Sequence, residues 1–214
     1  MTAEIKTVSA DRHAGGRGFT LTEVAIVLGI IGLILGAIWV AASAVYTNMR
    51  TQTANTELLQ ITQAVRSMYA TSAEISQTAD MPTSSAYIQG GVFPSSALNT
   101  GLAATATKTV NPWGGVINIQ ATTHSSTNDA FVVWFDAIPA QACIQLLTAA
   151  TGQGRDTGMY QAGGGAAGTL PPGDPLFDTN GGLVPISPSA AQGECAAANN
   201  GNAAAFYFSL KGSN

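Results

Sequence analysis

The sequence predicts an α+β chain: a long N-terminal helix whose second half packs on a twisted antiparallel sheet head. Three observations predict it. An uncharged apolar run occupies residues 24–45, and no charge falls between Glu23 and Arg50. No proline occurs between Phe19 and Met81, so nothing in that stretch forbids a continuous helix. From Ala79 the texture changes to Pro, Gly, Ser and Thr with short apolar bursts, the punctuation of strands and turns.

The apolar run comes first. As a helix it extends about 33 Å, which matches a hydrocarbon core of roughly 30 Å. Lys6, Arg12 and Arg17 precede it, with Glu4 and Asp11 interspersed, and the next cation is Arg50. That basic bias keeps the N-terminus cytoplasmic and carries the rest of the chain across the membrane. Glu23 stands at the lip of the run, where a carboxylate is costly unless paired, so its presence predicts a partner. The alternative is a helix-start residue favoured by the dipole. Gly32 and Gly36 form a small-xxx-small pair that permits close helix–helix approach. With Gly29 they also weaken the helix, each by roughly 1 kcal/mol, so bending is the competing reading. Trp39 falls near the outer end of the span, where indoles favour the interface.

Beyond the span, Leu58, Ile61, Val65 and Met68 lie on one helical face, the pattern of a helix packed on a core. The helix is expected to end near Ala73. Gly91-Val92-Phe93-Pro94 is a short segment near a turn. Asn111-Pro112-Trp113-Gly114-Gly115 is a turn, followed by a strand at Val116–Ile119. Ala130–Phe135 is apolar on both faces and therefore a central strand. Ile138–Ala150 is a short helix with Pro139 at its start, residues 151–205 are mostly loop, and Phe206–Leu210 is the last strand. Trp113 and Trp134 are expected in the core of the head.

Composition excludes several functions. Charged residues are 9% of the chain, net charge is −4, and the cations after residue 49 are scattered singly. No basic footprint for nucleic acid can be assembled from them. The two cysteines, Cys143 and Cys195, sit downstream of a membrane-directing segment and read as one disulfide in an oxidising compartment. The alternative is two unrelated buried thiols. A metal site is disfavoured, because paired spacing and nearby histidine are both lacking. Gly163-Gly164-Gly165-Ala166-Ala167-Gly168 has no following Gly-Lys-Ser/Thr, so it reads as a flexible loop rather than a phosphate cradle. Asp174, Asp178 and Asn180 precede Gly181, yet Leu176 occupies the first ligand position of a calcium loop, which leaves a polar turn. His13 and His124 are the two histidines, and neither completes a Ser-His-Asp arrangement. No enzyme activity, cofactor or metal is predicted.

Arg17-Gly18-Phe19-Thr20-Leu21-Thr22-Glu23, running into the apolar segment, resembles the type IV prepilin signature. The resemblance implies the type IV pilin fold and a three-part chain. Residues 1–18 would be a leader removed by a prepilin peptidase that also N-methylates Phe19. Residues 19–50 would be the transmembrane and assembly helix, and residues 51–214 the globular head. Gly18, lacking a Cβ, suits an extended backbone in a tight peptidase site. Glu23 would meet the Phe19 amine of a neighbouring copy. Because an unpaired buried charge is expensive, that pairing would hold the correct register. The Asn-Pro-Trp-Gly-Gly turn is similar to one in type IVb pilin heads, and the 18-residue leader points to the same group. Phe19 as first mature residue is more typical of type IVa. In pilins the stretch between the two cysteines is the variable, filament-surface region.

The implied function is polymerisation into a pilus serving adhesion, aggregation, motility or conjugative contact. Its partners would be other copies of the chain, the peptidase/N-methyltransferase and an assembly platform in the bacterial inner membrane. The precursor would have its head in the periplasm, and the assembled fibre would be extracellular. Three alternatives stand beside it. One is a minor pilin or pseudopilin of a secretion or DNA-uptake system. Another is a single-span anchored binding domain. The third is a secreted domain cleaved after Ala42-Ser43-Ala44.

Overall fold

A computed structural model describes residues 19–75, 85–101, 108–168, 184–196 and 201–211. The chain divides into two compact units, one ending at Ala44 and the other running from Val45. Helix α1, Leu21–Met68, contributes to both. In the first unit, every described residue up to Ala44 is exposed.

In the second unit α1 buries Thr51, Ala54, Leu58, Ile61 and Val65, a stripe spaced by threes and fours as an amphipathic helix requires. Met68, expected on that stripe, is instead 43% exposed, and the helix stops there rather than near Ala73. Tight turns replace it: the Ala70 amide donates to the Ser67 carbonyl and the Ser72 amide to that of Tyr69. Buried Ile75 then bonds through its amide to the Asn128 carbonyl, which draws the chain onto the head. Arg66 secures the same corner. Its guanidinium pairs with Asp156 at 2.6 Å and donates twice to the Ser209 carbonyl, at 3.2 and 3.1 Å.

The head continues with α2, Ser85–Gln89, and a 3-10 turn at Ser95–Ala97. The Gly91–Pro94 segment joins them and buries Val92 and Phe93. Four strands follow: β1 Ile117–Thr122, β2 Ala130–Ile138, β3 Met159–Ala166 and β4 Asn202–Ser209. They form one antiparallel sheet in the order β1-β2-β4-β3. β2 is central and buried on both faces for most of its length, as its unbroken apolar run predicts. One face presents Phe131, Val133, Phe135, Phe206 and Phe208 to the main core with α1 and α3 (Ala140–Thr151). Val132, Trp134, Ala203, Ala205 and Tyr207 cluster on the opposite face. Trp134 is therefore buried away from the main core, and Trp113 is half-buried at that core's margin.

The expected loop over residues 151–205 is corrected in three places. β3 lies inside it, α4 spans Pro188–Glu194, and β4 begins at Asn202, ahead of the expected Phe206. The glycine tract is thus an edge strand: Gly163, Gly164 and Gly165 pair with Ala205, Ala204 and Ala203. Gly164 has a steric reason. A Cβ on Gly164 would lie 3.1 Å from the Cβ and carbonyl oxygen of Glu194 at the end of α4, so a side chain there would require the helix to give by a few tenths of an ångström. Cys143 of α3 and Cys195, the residue capping α4, form the disulfide, with Cα atoms 5.9 Å apart. The polar tract at Asp174–Gly181 lies outside the described residues.

Candidate functional site

The N-terminal unit offers the clearest functional surface. α1 has a mean hydropathy of 2.8 over its most apolar 18 residues, and none of that window is buried. Phe19 is 85% exposed and Trp39 is 79% exposed. Contiguous apolar surface on that scale marks a membrane or protein contact. At Gly29, Gly32 and Gly36, nothing lies within 4 Å of where a Cβ would stand, so each leaves an open notch on the helix. The one polar side chain near the end of the run, Ser43, returns its hydroxyl proton to the Val40 carbonyl at 2.8 Å. Internal bonding of this kind keeps the surface greasy. In the second unit, Arg50 ends the uncharged stretch, its guanidinium 4.2 Å from the Tyr46 ring centre.

Glu23 has a local role at the helix start, the alternative weighed above, in a form that the sequence reading did not name. Its carboxylate accepts from the Thr20 amide and from the Thr20 hydroxyl, both at 3.0 Å. In return, the Glu23 amide donates to the Thr20 hydroxyl at 3.3 Å. This reciprocal arrangement is a capping box, and its Thr-x-x-Glu signature stands in plain view at residues 20–23. Within a single chain, then, the carboxylate is held by its own helix terminus, exposed at the start of the apolar surface. Gly18 lies outside the described residues. Phe19, immediately ahead of the cap, is free of burial.

In the head, side-chain hydrogen bonds brace the turns. Asn111 organises the predicted turn: its side-chain oxygen accepts from the amides of Trp113 at 2.9 Å and Gly115 at 3.0 Å, while its side-chain nitrogen donates to the Asp136 carbonyl at 2.6 Å. Among the described residues, no group of three or more His, Cys, Asp or Glu is placed to hold a metal ion. His124 stacks on Tyr160 with ring centres 4.0 Å apart. Cys143 and Cys195 are brought together; they are buried and bonded.

Comparison with known proteins accords with this architecture. A family model described as PilS N terminal matches residues 48–205. No curated protein matches the chain. Among solved structures, TcpA, a type IV pilin from Vibrio cholerae El Tor biotype, is similar with a TM-score of 0.50 at 15% identity, over 75% of this chain and 99% of that one. A type IV b pilin from Salmonella typhi aligns over 71% of this chain and 96% of its own, with 20% identity and a TM-score of 0.45. At such identities the likeness to TcpA speaks for the fold: a long apolar N-terminal helix joined to a disulfide-bonded antiparallel head.

Proposed function

Because the chain belongs to the PilS N-terminal family and carries the type IV pilin fold, we propose that it is the structural subunit of a type IV pilus, polymerising through α1. The observation that supports this reading most is the bare apolar surface from Phe19 to Ala44. In water such a surface is strongly unfavourable, at about 25 cal/mol for each Å² exposed. Two environments relieve it, a bilayer before assembly and a bundle of like helices afterwards. The helix is long enough for the first and open enough at Gly29, Gly32 and Gly36 for the second.

In this reading residues 1–18 are removed between Gly18 and Phe19, and the new Phe19 amine is methylated by the same enzyme. The precursor waits in the bacterial inner membrane with its head in the periplasm, and an assembly platform transfers it to the fibre. Glu23 then pairs with the Phe19 amine of an adjoining copy. Its capping bonds to Thr20 orient the carboxylate at the helix start, where that amine would arrive. Pairing compensates both charges only in the correct stagger, which selects one register from the many that a greasy helix would tolerate. The fibre then serves adhesion, aggregation, motility or conjugative contact.

N-terminal sequencing of membrane-extracted protein tests the processing step. A methylated Phe19 is expected; a start at Val45 would indicate a secreted domain, and Met1 or Thr2 a simple anchor. Glu23→Val is expected to leave cleavage intact and to abolish filaments or cut their yield sharply. Normal fibre yield from that variant would sink the pairing role.

A further inference from the structure

A cleft of about 380 Å³ opens in the head at one end of the sheet. Four chain segments converge on it: the turn after α1, the β1–β2 turn, the start of β3 and the end of β4. We propose that this cleft is a carbohydrate-binding site that holds one pyranose ring of a glycan against His124. The site would act in a single subunit, whether or not the subunit polymerises.

The cleft has the mixed chemistry that a sugar demands. A pyranose has an apolar C–H face and an equatorial belt of hydroxyls, each at once a donor and an acceptor. One face of the His124 ring is taken by Tyr160 at 4.0 Å between centroids, while the imidazole itself is exposed, leaving an aromatic platform at the mouth. Tyr160 stiffens that platform from below, being half-buried and backed in turn by Tyr207, with ring centroids 6.1 Å apart.

Polar groups of both kinds rim the platform. Glu74 offers an acceptor carboxylate, Lys211 three N–H donors, and Ser126 a hydroxyl that does both. The turn that carries His124 is preformed. The Asp129 carboxylate accepts from the amides of His124 at 2.7 Å and of Ser125 and Ser126 at 2.9 Å. Burial pushes the Asp129 carboxyl up, but those amides outweigh it and hold it below the usual carboxylate range. With Asp129 satisfied internally, Glu74 and Lys211 offset each other. The lining therefore favours a neutral polar ligand over a polyanion, a cation or an apolar molecule.

A further sign comes from Ser209. This residue lines the cleft, and its hydroxyl oxygen is buried without a hydrogen-bond partner. A rotation of the Ser209 side chain toward the cleft would give that bare hydroxyl a sugar hydroxyl as its partner.

The test uses the full chain in lauryldimethylamine oxide micelles, a detergent without sugar. Saturation-transfer difference NMR is recorded with the methyl glycosides of glucose, galactose, mannose and N-acetylglucosamine at millimolar concentration. Transfer to the ring C–H protons of at least one glycoside is expected. His124→Ala should weaken that binding roughly tenfold, as loss of an aromatic platform does. Glu74→Gln should weaken it as well, and Gln141→Ala, on the exposed side of α3, should leave it unchanged. Both His124 and Glu74 are exposed, so the variants should keep the wild-type circular dichroism. Absence of transfer to all four glycosides would overturn the proposal. So would transfer that survives both His124→Ala and Glu74→Gln. A change in self-association by His124→Ala without any sugar signal would assign the cleft to contacts between copies and reject the glycan. None of these results bears on filament formation, which Glu23→Val tests separately.

Discussion

Glu57 sits on the buried stripe of α1 with one carboxylate oxygen bonded and the other bare. The Ser96 hydroxyl donates to its Oε1 at 2.8 Å, while Oε2 is buried without a partner. Burial pushes its carboxyl above the usual range, and the single bond from Ser96 only partly opposes that. The sign for stability follows. A carboxyl raised in the folded state imposes no penalty below its unfolded value of about 4.3, and the penalty is complete once pH exceeds the folded value. Relative to wild type, Glu57→Gln should therefore gain stability as pH rises from about 4 to 7. Thermal midpoints of the two proteins across that range measure it, and a constant difference would reject the argument. Asp129 acts in the opposite sense, adding stability that is lost on acidification, but it is common to both proteins and cancels in the difference. Neither the burial of Glu57 nor the capping bond of Glu23 emerged from composition. The second was nonetheless spelled out by Thr20 and Glu23 at capping-box spacing. The first depends on Ser96, a residue that only tertiary folding brings near.

At the scale of elements, the Asn111–Gly115 turn contains two glycines with different reasons for being there. Gly114 adopts φ of 91°, a left-handed conformation with open space where a Cβ would go. At Gly115, by contrast, a Cβ would lie 1.9 Å from the Asp136 carbonyl oxygen and 2.8 Å from the Asn111 amide nitrogen. No rotamer change relieves a clash with backbone, so Gly115→Ala must separate the turn from β2. We expect it to cost about 3 kcal/mol or more, against about 1 kcal/mol for Gly114→Ala. Urea midpoints of the two variants decide it, and the reverse order would show that conformation rather than contact governs the turn. This turn was legible because Asn, Pro and Gly advertise it locally. Central β2 was legible because β-branched and aromatic residues run unbroken from Phe131 to Phe135. β3 was not: its Gly163-Gly164-Gly165 core signals a loop, and the close approach of Glu194 to Gly164 is a contact invisible in one dimension. α4 lay between these cases. Ser187 caps it by accepting from the Ala190 amide at 3.2 Å and Pro188 opens it, a recognisable start outweighed by the Ala- and Gly-rich surroundings.

For the molecule as a whole, the disulfide is the one covalent tie that the described head contains. Cys143 and Cys195 are 52 residues apart in sequence, and β3 and α4 lie between them. Closing such a loop removes roughly 4 kcal/mol of denatured-state entropy in the chain-entropy model. That is a large share of the 5–15 kcal/mol typical of a whole domain. Native contacts also depend on the bridge, since it fastens α3 to the end of α4, which in turn covers the glycine strand. Both cysteines are buried, so dithiothreitol reaches the bridge only when the head opens. The double variant Cys143→Ala/Cys195→Ala therefore gives the cleaner equilibrium value. It should unfold at a markedly lower urea concentration, with a loss of about 4 kcal/mol from the open loop. The apolar helix before Ala44 makes no part of that loop, so the far-ultraviolet helix signal of the micelle-bound unit should persist after the head has melted. Should the double variant melt at the wild-type midpoint, packing of α3 and α4 on the sheet would suffice by itself, and the covalent tie would have no thermodynamic role in the head.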